Sequence, residues 1–245
     1  MVTGGTSGIG KAAALALAKA GAKVVIAGRR ADEGNEVVER IKKEGGEAMF
    51  VKADVSEEAD VKTLVDKTVS RFGRLDIAFN NAGVEGQIGL STDTQTVENY
   101  QSVFDINVKG VMLSMKYEAK AMLKNGGGSI VNTSSIAGHV GFAGGGLYVA
   151  SKHAIAGLSK SAALDFAQKG IRVNTVSPGT IQTEMIDRMM GTGETEVRKF
   201  WESQHPVGRF GAVDEVAAAV VWLSSPEASF VTGTDIAVDG GYLAK

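Results

Sequence analysis

The chain has 245 residues, 44% of them hydrophobic, and its 26 basic and 28 acidic side chains leave a net charge of −2. This size and composition suit one well-buried α/β domain. The charge balance gives no basic patch for a phosphate backbone, so we expect no nucleic-acid partner. The absence of cysteine excludes disulfides, iron–sulfur centres and a thiolate nucleophile. No apolar stretch is long enough to cross a bilayer, and we expect a cytoplasmic protein without a membrane partner.

Short β-branched segments alternate with amphipathic helical patterns along the whole chain, which predicts a Rossmann-type, doubly wound parallel sheet. The clearest helix, 57–72, carries an apolar stripe from Val61 to Phe72 and is followed by Gly73. Ser56 is its expected N-cap, and a second helix is expected at 32–44. The predicted strands are 23–27, 48–53, 75–80, 129–133, 172–176 and 235–238.

The composition changes over residues 183–211, which are rich in methionine and in charged side chains. Two glycines bracket Thr192 within this segment. We expect a small helical flap over a substrate cleft, inside a single domain that spans residues 1–245.

A glycine-rich segment at residues 3–10 runs directly into a strong helix-forming sequence. Such a turn lets backbone N–H groups approach a pyrophosphate at the positive end of a helix, although a plain structural turn has the same composition. The next strand ends at Gly28, where a fold that prefers NAD places a carboxylate, but Arg29 and Arg30 follow instead. Guanidinium groups favour a 2′-phosphate, so we expect NADP, with NAD as the alternative. In the competing interpretation, both arginines are solvent-exposed residues at the start of a helix and do not bind a cofactor. Asp54, which ends the third strand, could accept a hydrogen bond from the adenine amino group.

Further short motifs follow along the chain in a fixed order. After Thr3, Gly4, Gly8 and Gly10 come Asn80-Asn81-Ala82-Gly83, Asn107, Ser135, the pair Tyr148 and Lys152, and Pro178-Gly179. Together they resemble the classical short-chain dehydrogenase/reductase family over essentially the whole sequence. The resemblance implies a Rossmann-type oxidoreductase that transfers a hydride between a nicotinamide cofactor and a secondary alcohol or ketone.

The resemblance also implies roles for individual residues. Asn107, Ser135, Tyr148 and Lys152 would be catalytic, with Asn107 anchoring a water molecule and Lys152 also holding the nicotinamide ribose. Thr183 would contact the carboxamide. Purely structural interpretations stay open for two of these residues. In them, Asn81 hydrogen-bonds the backbone groups at a buried strand end, and Asn107 makes a backbone contact that kinks a helix. The implied cofactor site comprises Gly4, Thr6, Ser7, Gly8, Ile9, Gly10, Arg29, Arg30, Asp54, Val55, Asn81, Ala82, Gly83, Tyr148, Lys152, Pro178, Gly179, Ile181 and Thr183.

Tyr148 is the expected general acid/base, because the chain lacks cysteine and its three histidines show no spacing typical of a metal site. No metal is therefore expected. An isolated phenol titrates near about 10. Lys152 lies one helical turn later, and its charge, together with that of oxidised nicotinamide, is expected to lower the pKa of the phenol. The hydroxyl of Ser135 could hydrogen-bond the carbonyl oxygen as it gains charge.

Only Met1 and Val2 precede the glycine motif, whereas the family has several more residues of the first strand there. Either the native start lies upstream or the protein tolerates a shortened central strand. Residues 235–241 resemble the strand and turn that pack subunits in the family's tetramers, so the resemblance implies a homo-oligomer.

The substrate pocket is expected to be mostly apolar with one carboxylate, which permits cyclic or bulky alcohols or ketones. Two other functions compete with catalysis, namely a non-catalytic dinucleotide-binding regulatory module and a structural homo-oligomeric scaffold. The expected lining residues are Val84, Glu85, His139, Phe142, Met185, Met189 and Phe200.

Overall fold

The computed structural model describes residues 1–245. Seven parallel strands form one sheet in the order β3-β2-β1-β4-β5-β6-β7. The strand order reverses between β1 and β4, which opens a crevice at the carboxyl ends of these strands. The strands are β1 Val2–Thr3, β2 Val24–Gly28, β3 Ala48–Lys52, β4 Ile77–Asn80, β5 Gly128–Thr133, β6 Ile171–Pro178 and β7 Asp235–Val238.

Nine α-helices connect and flank the strands. A π-helical turn, Asp105–Lys109, joins the fourth helix to the fifth. The helices are α1 Gly8–Lys19, α2 Ala31–Lys43, α3 Glu58–Phe72, α4 Val97–Phe104, α5 Gly110–Lys124, α6 Gly146–Phe166, α7 Glu184–Met190, α8 Glu196–Ser203 and α9 Val213–Ser224.

Both faces of the sheet are covered by helices, as the apolar strands predict. On β2, Val25 packs on one face in a cluster that contains Leu64 of α3 and Ile155 of α6. The next residue, Ile26, packs on the other face in a cluster that contains Leu17 of α1. This alternation follows from the two-residue period of a strand, and it confirms the predicted doubly wound fold.

The central strand β1 has only two residues, and it pairs with a neighbour on each side. Val2 lies opposite Ile26 of β2 and opposite Phe79 of β4. The Met1 carbonyl accepts a further hydrogen bond from the Phe79 amide at 2.9 Å. None of the helices combines the length and apolarity needed to span a membrane.

The predicted start of α3 was wrong by one residue. The N-cap is Glu57 rather than Ser56. The Ser56 hydroxyl instead donates to Asp54 Oδ1 at 2.7 Å, and the Ser56 amide donates to the same oxygen at 3.0 Å. The aspartate carboxylate thus takes the serine donors in a local turn before the helix begins.

Candidate active site

A groove of about 430 Å³ lies at the crevice between β1 and β4. Its walls come from the turns that follow the first four strands and from the start of α7. The sequence-predicted residues that line it are Gly4, Thr6, Ser7, Gly8, Ile9, Arg29, Arg30, Asp54, Val55, Asn81, Ala82, Gly83 and Thr183.

The glycine turn needs its glycines for two different reasons. Gly4 and Gly8 have φ values of +63° and +51°, a backbone region that L side chains rarely adopt. Gly10 is buried behind the turn and does not line the groove. A Cβ atom there would collide with the Gly4 carbonyl and the Asn81 amide. Gly10 therefore lets the chain pack closely, while Gly4 and Gly8 shape the groove wall.

Asn81 joins the glycine turn to the end of β4. Its side-chain amide donates to the Gly4 carbonyl at 3.2 Å. In return, the Thr3 hydroxyl oxygen accepts from the amides of Asn81 and Ala82 at 3.1 and 3.3 Å. The side chain of Asn81 therefore satisfies backbone groups while the residue also lines the groove, so both interpretations of Asn81 from the sequence are compatible with the structure.

Arg30 reaches over the glycine turn, and its side chain remains 45% exposed. Its Nη2 donates to Ser7 Oγ at 2.6 Å and to Thr6 Oγ1 at 3.2 Å. Its Nη1 lies 3.4 Å from the Glu184 carboxylate on α7. The cationic end of Arg30, which follows β2, thus lies beside two hydroxyls of the turn that follows β1.

Arg29 faces the other side of the groove, 3.7 Å from Asp54 Oδ2. Burial raises the pKa of the Asp54 carboxyl, but the hydrogen bonds from Ser56 and the charge of Arg29 outweigh it, so the pKa lies below its ordinary value. Asp54 is therefore a charged acceptor at neutral pH.

A second cavity of about 670 Å³ continues from this groove. The two spaces share wall residues, among them Ile9, Val84 and Met185. The two spaces are therefore adjacent. The second cavity is lined by the sequence-predicted residues Ser135, Tyr148, Lys152, Pro178, Gly179, Ile181 and Thr183.

Tyr148 and Lys152 lie on one face of α6, as their spacing predicts. Lys152 Nζ is 5.5 Å from the centre of the Tyr148 ring and donates to the Thr133 carbonyl at 2.9 Å. Ser135 follows β5, where its Oγ accepts from the Ala137 amide at 3.2 Å. Ser135 and Tyr148 line the same cavity. Three proton-handling side chains thus converge in one cavity.

The expected decrease in the Tyr148 pKa depends on the charges of Lys152 and oxidised nicotinamide together, and on balance the protein's own groups act in the opposite direction. Burial raises the pKa of the phenol above its ordinary value, and the Glu85 carboxylate raises it further, whereas the hydrogen bond with Ser135 lowers it. Burial also lowers the pKa of the Lys152 ammonium to about 8. The lysine charge does not offset the loss of water around the phenol.

Asn107 is fully buried and lines neither cavity. Its Oδ1 accepts from the Val84 amide at 2.8 Å, and its Nδ2 donates to the Val84 carbonyl at 2.9 Å and to Ser151 Oγ at 3.1 Å. It lies within the π-helical turn, an irregularity of the kind that often marks functional sites. Asn107 thereby fixes the loop after β4 against α6, which carries Tyr148 and Lys152.

Comparison with known proteins decides the family. The family described as "Enoyl-(Acyl carrier protein) reductase" matches residues 4–243. The crystal structure of a short-chain type dehydrogenase/reductase from Mycobacterium marinum superposes with a TM-score of 0.94 at 36% identity, covering 100% of this chain and 94% of that one. The chain belongs to the short-chain dehydrogenase/reductase family. It is an NAD(P)-dependent oxidoreductase of alcohols and ketones.

Two relatives of this short-chain dehydrogenase/reductase have names that refer to substrates with a six-membered ring. A cyclohexanol dehydrogenase of Acinetobacter sp. (strain SE19) is 45% identical over 245 residues, which cover 100% of this chain and 94% of the relative. A 2,5-dichloro-2,5-cyclohexadiene-1,4-diol dehydrogenase of Sphingobium indicum (strain DSM 16412 / CCM 7286 / MTCC 6364 / B90A) is also 45% identical, covering 100% and 96%.

The substrate side of this short-chain dehydrogenase/reductase differs from the expected lining at two residues. His139 does not line the cavity, and its Nε2 atom lies 3.0 Å from the Asp235 carboxylate. Phe200 is 58% exposed, and its neighbour Trp201 lines the cavity in its place. On a helix, consecutive residues point about 100° apart, so an error of one residue changes the face. The other expected residues, Val84, Glu85, Phe142, Met185 and Met189, do line it.

Other contributors to the site were not predicted from the sequence. Arg188 of α7 pairs with Glu85 at 3.2 Å. The buried His205 accepts from the Thr180 amide through Nε2 at 3.0 Å and contacts the Trp201 carbonyl through Nδ1 at 2.8 Å. It therefore fixes the loop after β6 against α8. The contacts of Arg188 with Glu85 and of His205 with Thr180 have no local sequence signal, because the partners lie 103 and 25 positions apart along the chain.

Proposed function

We propose that this short-chain dehydrogenase/reductase interconverts a cyclic secondary alcohol and its ketone, with NADP(H) as the preferred cofactor. The observation that carries the proposal is the convergence of Ser135, Tyr148 and Lys152 in a cavity that continues into a dinucleotide-sized groove. When bound, the nicotinamide cofactor supplies or accepts the hydride.

The groove fits a dinucleotide. Glycines form its floor, and the N-terminus of α1 supplies partial positive charge for a pyrophosphate. A Cβ atom at Gly4 would meet Ala82 at 2.8 Å, so the close approach of these turns needs a glycine. We assign the adenine end to Asp54, and the nicotinamide end to Thr183 and Lys152.

Tyr148 is the proposed general acid/base. Its phenol would donate a proton to the ketone oxygen during reduction, or take one from the alcohol during oxidation. The Ser135 hydroxyl would hydrogen-bond the same oxygen as charge develops there. Lys152, held by the Thr133 carbonyl, would favour the phenolate electrostatically. Asn107 would hold the loop after β4 in a fixed position against α6.

The arrangement around Arg30 supports the preference for NADP. Its guanidinium group and the hydroxyls of Thr6 and Ser7 form a donor-rich cluster beside the glycine turn. No carboxylate ends β2, where a ribose with a free 2′-hydroxyl would need an acceptor. An arginine can bind a phosphate through two parallel hydrogen bonds.

The shape and chemistry of the second cavity support a cyclic substrate. Apolar side chains form most of its wall, among them Phe142, Met185, Met189 and Trp201. Its size accommodates a six-membered ring with substituents. The two relatives named for cyclohexanol and for a cyclohexadiene diol agree with this choice.

Residues 183–211 are the proposed substrate flap. They contain α7 and α8, which Arg198 connects through hydrogen bonds to Asp187 at 3.0 Å and to the Gly191 carbonyl at 3.0 Å. Because Arg198 is nearly buried, the two helices would move as one unit. Met185 and Trp201 of this unit line the cavity.

We also propose a homotetramer. The strand β7 has a free edge, since it pairs only with β6. Phe230 and Leu164, which are 103% and 83% exposed, present large apolar side chains to solvent. Sedimentation of a monomer at micromolar concentration would contradict this part of the proposal.

A panel of cyclic alcohols and ketones with NADPH/NADP and NADH/NAD tests the proposed function. We expect cyclohexanone to be reduced with a kcat/KM at least about tenfold higher with NADPH than with NADH. Cofactor binding without turnover of any alcohol or ketone would instead favour a regulatory module.

A further inference from the structure

The substrate cavity contains a carboxylate that the proposed chemistry does not use. Among the residues that line this cavity, only Glu85, Lys152 and Arg188 are charged. Lys152 is already assigned to Tyr148 and the cofactor ribose. Glu85 lies in the loop after β4, and its side chain is 18% exposed. A carboxylate in a largely apolar cavity requires compensation for the lost water.

Arg188 supplies only part of this compensation. Its Nη2 and Nε atoms donate at 3.2 and 3.4 Å, and both hydrogen bonds go to Glu85 Oε1. Oε2 has no hydrogen-bond partner, and this oxygen is not fully buried. The arginine therefore fixes the orientation of the carboxylate and leaves one charged acceptor open to the cavity.

Glu85 also lies near the reacting group. Glu85 and Tyr148 line the same cavity, and the Glu85 carboxylate contributes to the pKa of the phenol, although less than burial and the Ser135 hydroxyl do. A ring whose carbon bears the reacting hydroxyl at Tyr148 would thus have another of its substituents close to Glu85. The two groups define two polar contact points in an otherwise apolar space.

We propose that Glu85 is a specificity-determining residue that accepts a hydrogen bond from a second hydroxyl of the substrate, so that the enzyme prefers a cyclic diol to a cyclic mono-alcohol. This inference rests on the proposed function, because it assumes that a cyclic alcohol reacts at Tyr148. Arg188 acts as a positioning residue, since it orients the carboxylate without contacting the reacting atoms.

The charges of the pair favour a neutral donor over an anion. The positive charge of Arg188 is already balanced by Glu85, to which it donates twice. A substrate carboxylate would meet the open oxygen of Glu85 and be repelled. A hydroxyl group donates to that oxygen without bringing a charge into the cavity. Hydrogen bonds to a charged group are also stronger than those between neutral groups.

The test compares kcat/KM for the cyclohexane-1,2-, 1,3- and 1,4-diols with kcat/KM for cyclohexanol. The ratio between the best diol and cyclohexanol cancels any general loss of activity. We expect this ratio to exceed about ten in the unchanged protein, as a charge-assisted hydrogen bond implies. It should fall by about tenfold in Glu85→Leu and by less in Glu85→Gln, which keeps a neutral acceptor of the same size.

Glu36→Gln is the matched control. Glu36 is exposed on α2 and lines neither cavity, so this variant should keep the unchanged ratio. Circular dichroism of all variants checks that each is folded. Because Glu85→Gln preserves the shape of the side chain, it keeps the test valid if Glu85→Leu is unstable.

The possible results separate the two proposals. Turnover of cyclohexanol with a ratio near one, or an unchanged ratio in Glu85→Leu, would overturn the role of Glu85 and leave the proposed function standing. A preference for 4-hydroxycyclohexanecarboxylate or for an aminocyclohexanol over every diol would also overturn it. Absence of turnover with all alcohols and ketones would overturn the proposed function together with this inference.

Discussion

Replacing Glu118 by glutamine is expected to stabilise the protein at alkaline pH and to change little at acidic pH. Glu118 of α5 is fully buried beneath the sheet. Its Oε2 accepts from Asn80 Nδ2 at 2.9 Å, whereas its Oε1 and the Oδ1 of Asn80 have no partner. A protonated carboxyl or a glutamine amide carries a hydrogen-bond donor at this buried position, whereas a carboxylate carries none.

The size of the effect follows from the pKa. Burial raises the pKa of Glu118 from 4.5 to about 7, despite the opposing hydrogen bond from Asn80. Between these values the folded state binds more protons than the unfolded state, so stability falls as the pH rises. The contribution is intact below 4.5 and is lost above about 7. At about 1.4 kcal/mol per pKa unit, the carboxylate costs up to about 3 kcal/mol of unfolding free energy at alkaline pH.

Urea denaturation of the unchanged protein and of Glu118→Gln at about pH 4.5 and about pH 8.5 measures this difference. The α-amino group of Met1 is neutral in the folded protein at the higher pH, because burial lowers its pKa to about 6. The variant should gain about 2 to 3 kcal/mol relative to the unchanged protein between the two conditions. Glu196→Gln, at an exposed position, is the control and should show no such gain. An equal stability difference at both pH values would refute the reasoning.

Three further substitutions test the cofactor groove. Arg30→Ala should weaken NADP binding by about tenfold or more and leave NAD binding within about twofold, measured by fluorescence titration; equal losses for both cofactors would contradict a contact with the 2′-phosphate. Glu184→Gln should tighten NADP binding by about two- to fivefold, because it removes an exposed anion 3.4 Å from Arg30; no change at low salt would show that this anion does not matter. Gly10→Ala should lower the melting temperature and abolish binding of both cofactors, because its Cβ would collide with Gly4; an unchanged melting temperature would count against the close packing.

The fold was predictable because a parallel sheet leaves strong local patterns. The alternation of buried strands and amphipathic helices gave the doubly wound topology, and the glycine after α3 marked its end. The exact helix start was not predictable. The Ser56 hydroxyl turns toward Asp54 instead of accepting from a helix amide, and this choice depends on the local path of the chain. The sequence alone does not define that path.

The residues of the site were predictable in part, and their energetics were not. The spacing of Tyr148 and Lys152 placed both on one face of a helix. The direction of the Tyr148 pKa depends on burial, which is a property of the whole fold. The pair between Glu85 and Arg188 joins residues 103 positions apart and has no local signature. Whether Phe200 or Trp201 lines the cavity depends on the rotation of a short helix about its axis, which the sequence does not define.

The most direct test of the account is hydride transfer by Tyr148→Phe at saturating cofactor. The variant keeps the ring and the helix but removes the hydroxyl that handles the proton. We expect NADPH to bind with unchanged affinity while the single-turnover rate of cyclohexanone reduction falls by at least about a hundredfold. Tyr100→Phe, at an exposed position on α4 that lines neither cavity, is the matched control and should keep the rate. A Tyr148→Phe variant that reduces cyclohexanone at the unchanged rate would contradict the central role of the phenol.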